Sequence, residues 1–95
     1  MSMKESYQKK LQAELDQWSA DIDKLKAKAN KAESDIKLEY YEQVEALRVK
    51  QEEAKEKLSE LKAASDDAWE DLKAGTESAW HALGNAVKNA SSRFK

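Results

Sequence analysis

The chain has 95 residues, 38% of them charged and 40% apolar, with no proline, no cysteine and two glycines, Gly75 and Gly84. At that size it forms one domain at most, and its Ala/Glu/Lys/Leu-rich make-up points to a coiled coil or long helix rather than a compact globule. The net charge is −2 with both signs spread along the chain, so no block is basic enough to grip nucleic acid, and disulfides and zinc-thiolate sites are excluded.

Ser2-Met3-Lys4-Glu5 has the form of a capping box, in which a hydroxyl and a carboxylate satisfy free amides at a helix start. No apolar run follows, so neither a signal peptide nor a membrane span is expected, and a soluble cytoplasmic protein is the natural reading. From there the apolar positions step by four and three: Leu11, Leu15, Trp18, Ile22, Leu25, Ala29, Ala32, Ile36. Such heptads specify a helix with one narrow apolar stripe. The rhythm returns as Val44, Leu47, Gln51, Ala54, Leu58, Leu61, Ser65, Ala68 and Leu72. Between Ile36 and Val44 lies a one-residue skip, bridged through Tyr40, that locally unwinds a supercoil.

Asn30 to Asp35 contains acceptable turn residues but no Gly or Pro. The spacing favours one helix from about Met3 to Ala74, roughly 100 Å long at 1.5 Å per residue, with a hairpin broken near Asn30 to Asp35 as the alternative. A rod of that kind has no core of its own. Self-association is the expectation.

Near the end, Ser59 to Trp69 (SELKAASDDAW) is followed by Glu70 to Trp80 (EDLKAGTESAW) and by a worn third copy from His81 to Ser91. Eleven residues make three helical turns at about 3.67 residues per turn. Winding the repeat accordingly puts Leu61, Leu72 and Leu83 at the centre of one face and Trp69 and Trp80 at its edge. Gly75-Thr76-Glu77 is the expected hinge, since glycine past a helix end followed by a Thr N-cap is ordinary punctuation. Ser91 to Lys95 should fray. The organisation expected is therefore a heptad segment over 1–58 and an amphipathic repeat segment over 59–95. Heptads and eleven-mers favour opposite supercoils, so the repeat should form a separate zone.

Chemistry is sparse. His81, the single histidine, falls opposite the leucine stripe and reads as a solvated residue. Glu52-Glu53 and Asp66-Asp67 are neighbours in sequence and point apart on a helix. No phosphate loop and no nucleophile–base pair is present, so no catalytic, cofactor or metal residues are assigned and the chain is read as non-enzymatic.

The tandem eleven-mers from Ser59 to about Ser91 resemble the repeats of exchangeable apolipoproteins, synucleins and late-embryogenesis-abundant proteins. That resemblance implies lipid-surface binding or stress protection. The whole chain also resembles small bacterial proteins described only as coiled-coil domain proteins, which implies a fold and no activity. Acidity weighs against the membrane: Glu60 to Glu77 holds six carboxylates and two lysines, whereas helices that lie on anionic lipid carry Lys or Arg on the polar face.

The reading is an all-α chain, a long helix or helical hairpin forming an oligomeric coiled coil or bundle, with a C-terminal amphipathic helix. Its expected role is scaffolding or protein docking through a homo-oligomeric interface built from Leu15, Trp18, Ile22, Leu25, Ile36, Tyr40, Val44, Leu47, Leu58, Leu61, Trp69, Leu72, Trp80 and Leu83. The alternative role is reversible lipid binding or stress protection.

Overall fold

A computed structural model describes residues 3–93; Ser2 of the expected cap and Phe94-Lys95 of the end expected to fray lie outside them, whereas Ser91, Ser92 and Arg93, also expected to fray, are helical. The described residues form three helices: α1 (Met3–Lys31), α2 (Ser34–Ala63) and α3 (Trp69–Arg93). None is long and apolar enough to cross a membrane. Contacts between Ser19 and Gln51, Asp23 and Arg48, and Asn30 and Tyr41 run α1 and α2 antiparallel. α3 returns alongside α1, with Trp69 beside Tyr7 and Trp80 beside Trp18. The described part measures 51 × 20 × 18 Å.

The hairpin alternative is the one realised, and the uninterrupted helix to Ala74 is not. Only Ala32 and Glu33 separate α1 from α2. Glu33 is extended (φ −67°, ψ 153°) and its side chain makes no capping hydrogen bond, while its carbonyl accepts from the amides of Ile36 and Lys37. Nothing in this turn is intrinsically a helix breaker. The driving force is burial: isolated helices gain little from propensity alone, and most of their stability comes from covering an apolar stripe. Doubling back lets Leu15, Ile22 and Leu25 face Val44, Leu47 and Leu58, all 5% exposed or less. Each such side chain contributes about 1.5–3 kcal/mol when removed from water. The one-residue skip lies just past the turn, where the stripe of one helix stops and that of the next begins. Ile36, caught between the two, stays 44% exposed.

The second break also differs from expectation. It falls at residues 64–68, within the first eleven-mer, and α3 runs straight through Gly75 without a left-handed residue. Ser65 explains the site. Its Oγ accepts a hydrogen bond from the Ala68 amide at 3.2 Å and its carbonyl accepts from Ala68 and Trp69, the pattern of a serine starting a helix. Asp66, Asp67, Glu70 and Asp71 then place negative charge where the amide dipoles point. On the other side, the Lys4 ammonium donates to the carbonyls of Lys62 and Ala64, closing the end of α2. In the second copy the position equivalent to Ser65 is Thr76, buried at 1% exposure, with its hydroxyl returned to the Leu72 carbonyl inside the helix.

One apolar cluster joins all three helices, so the expected split into a heptad segment and a separate repeat zone has no counterpart in the packing. The buried positions of α3 are Trp69, Thr76, Trp80, Leu83, Val87 and Ala90. After Trp80 they follow the three-four rhythm, matching the heptads they pack against. The inward face is turned toward the tryptophans: Trp69 and Trp80 are 6% and 4% exposed, and Leu72, placed at the centre by the eleven-residue winding, is half-buried.

Candidate interaction surface

Most of the residues expected to bind a partner are already used within the chain. Leu15, Ile22, Leu25, Val44, Leu47, Leu58, Leu61, Trp69, Trp80 and Leu83 all belong to the buried cluster. Trp18, Tyr40 and Leu72 are half-buried and pack on its edge. Of the fourteen, Ile36 alone is exposed.

The exposed large apolar residues tell a different story from the stripe. They are Met3, Ile36, Leu38, Tyr41 and Val49, and all but the first lie on α2. Three of them fall in its first two turns, beside the two-residue turn. Leu38 is 67% exposed and Val49 53%. They are eleven residues apart and so share one side of the helix. Neither belongs to the heptad rhythm, which is why periodicity passed over them. Glu42, Glu45, Glu52, Glu53 and Glu56 are exposed on the same helix and make its outer side acidic. At the turn the Tyr41 hydroxyl donates to Asn30 Oδ1 at 2.5 Å, tying the start of α2 to the end of α1.

α1 and α3 meet less extensively than either meets α2. A groove of about 350 Å³ runs between them, lined by Tyr7, Lys10, Glu14, Trp18, Trp80 and His81 among others. His81 is exposed at its rim. The floor is set by Gly84: a Cβ there would lie 2.9 Å from Cζ2 of Trp18, so glycine is what lets the indole rest on α3. Trp18 and Trp80 follow at 6.5 Å between ring centroids. Further along, Tyr7 and Trp69 are 5.8 Å apart, with the Lys73 ammonium 5.2 Å from the tyrosine ring and 5.8 Å from the indole. Such contacts supply cation–π attraction. Tyr7 donates to Glu77 Oε1, and burial, then that hydrogen bond and the nearby charges of Glu77 and Glu14, push its hydroxyl up to about 12.

One polar pair interrupts the core. Gln51, at a heptad position and 7% exposed, donates from Nε2 to Ser19 Oγ at 2.5 Å. A buried amide with one matched partner favours the register that supplies it. The indole Nε1 of Trp80 is buried without a hydrogen-bond acceptor, inside the packing rather than open to the groove.

Among the described residues no three His, Cys, Asp or Glu side chains gather closely enough to hold a metal ion. In comparisons with protein-family models, curated proteins and solved structures, no match to this chain is found.

Proposed function

We propose that this chain is a non-enzymatic helical association module, with a scaffolding role, whose contact surface is the turn end of α2 and whose partner is a second copy of itself. The observation that carries this reading is the exposure of Leu38, Tyr41 and Val49 along the outer side of α2, with Ile36 exposed beside the turn on the side that faces the core. Large apolar side chains grouped on a surface mark contact sites more often than scattered ones do. The run of exposed glutamates along α2 disfavours nucleic acid and anionic membranes as the occupant. Sedimentation of the wild-type protein should show a reversible monomer–dimer equilibrium. The double variant Ile36→Lys, Leu38→Lys should keep its helicity, since both positions face water, and lose the dimer. A wild-type protein that is monomeric up to millimolar concentration removes the proposal.

Lipid binding through α3 is the second reading. Its indoles, Trp69 and Trp80, sit in the core at 6% and 4% exposure, so engaging lipid requires α3 to leave the bundle. Tryptophan emission unchanged on addition of anionic vesicles would remove it.

A further inference from the structure

We infer that two copies associate by opening the α1–α2 turn and exchanging helices, so that α1 of each copy packs on α2 of the other. This inference rests on the self-association proposed above and specifies its geometry.

The turn is built to be reversible. Ala32 and Glu33 are its only non-helical residues, and both favour helix. Neither turn residue has positive φ, and the cap position makes no side-chain hydrogen bond. Rotating Glu33 from ψ 153° to helical values, with a matching adjustment at Ala32, is enough to join α1 and α2. Short connections of this kind are a recognised route to exchanged dimers.

The joined helix keeps its apolar residues on one side. Trp18 and Ala54 lie about ten turns apart at 3.6 residues per turn, so they point the same way in a straight helix. Pairs of residues further in or out deviate progressively, in opposite senses. A second copy lying antiparallel can therefore meet both stripes at once.

The register then places the turn residues at the centre. The pairs Ser19–Gln51, Asp23–Arg48 and Asn30–Tyr41 are all centred on residue 35 to within half a residue. In the exchanged dimer each of these contacts is kept, now between chains, and the two-fold axis passes beside residue 35. Ile36, 44% exposed at the turn of the closed bundle, meets its counterpart there. The skip beside which Ile36 stays exposed in the hairpin becomes the middle of the interface. α3 stays attached to its own α2 through residues 64–68 and closes each half. The resulting particle is a rod spanned by helices of about 90 Å.

The test uses single-cysteine chains, since the sequence has no cysteine of its own. Asp23→Cys protein and Arg48→Cys protein, positions whose native side chains approach at 3.9 Å, are mixed at high concentration, warmed briefly to allow exchange, cooled and treated with a short bismaleimide. Exchange gives a covalent link between the two different chains. Ser34→Pro supplies the second arm. Proline suits the first position of α2, because the preceding Glu33 already holds the extended conformation a proline requires, and it cannot sit inside a continuous helix. It should leave the closed bundle fully helical and weaken dimerisation by more than about a hundredfold. A dimer without the mixed link, or one that persists in helical Ser34→Pro protein, overturns the exchange and leaves self-association standing. A protein monomeric at every concentration overturns both.

Discussion

Gly75 separates two descriptions of α3 that differ in what an added methyl group does. If it ended one helix in a left-handed conformation, alanine would be strained there. In the structure it is exposed, mid-helix, with no positive φ, and a Cβ built on it meets nothing within 4 Å. Gly75→Ala should therefore return close to the full difference in helix propensity, about 1 kcal/mol, part of it through the smaller entropy of the unfolded chain. For a domain of this size that corresponds to a rise of about 4–8 °C in Tm. Gly84→Ala provides the contrast within the same helix. Its Cβ would stand 2.9 Å and 3.3 Å from Cζ2 and Cη2 of Trp18, so the ring must retreat. Overpacking of that kind costs about 1–3 kcal/mol, which cancels or outweighs the propensity gain. Urea denaturation followed by circular dichroism, with the slope unchanged, reads both effects. A lower midpoint for Gly75→Ala would show a break at that residue and refute the continuous α3.

Ser19→Ala should destabilise the fold by about 1–3 kcal/mol by leaving the buried Gln51 amide unpaired. Gln51→Leu should be close to neutral, and in that background Ser19→Ala should cost little; a double-mutant cycle by urea denaturation measures the coupling, and additive effects would contradict it. Tyr7 gives a pH dependence with a definite sign. Its folded value, raised from 10.0 to about 12, means the folded state binds more protons between those limits. The contribution is fully present below pH 10 and is lost as pH rises toward 12. Tyr7→Phe should flatten that part of the stability–pH curve, and absorbance titration of the tyrosinates should show one group ionising late in the wild type and missing in the variant.

How far the sequence reached can be judged residue by residue. The three-four spacing of Leu11 to Ala29 and of Val44 to Leu61 identified α-helices and the residues that α1 and α2 bury. It could not decide whether those stripes meet within a chain or between chains, because the same face serves both. The eight-residue step from Ile36 to Val44 was in plain view, yet a skip inside one helix and a stripe restarting after a turn leave the same trace. Ser65-Asp66-Asp67 carried the second helix start in ordinary capping chemistry, masked by an alignment that equated Ser65 with Thr76. Repeat likeness is a statement about ancestry of residues and sets no backbone dihedral. Gly75 drew attention as a breaker, although a solvent-facing glycine in a packed helix is tolerated at about 1 kcal/mol. Leu38 and Val49 fall off the rhythm and were legible only once burial had been assigned.

The central claim is that one chain covers its own stripes, with association added at the turn of α2. Far-UV circular dichroism and sedimentation equilibrium on the same samples, from low micromolar to millimolar, test it most directly. The expected result is a fully helical 10.8 kDa species when dilute, passing to twice that mass with no change in helicity. Helicity that falls away on dilution in step with mass would show that the helices need a partner chain to form, and would contradict the claim.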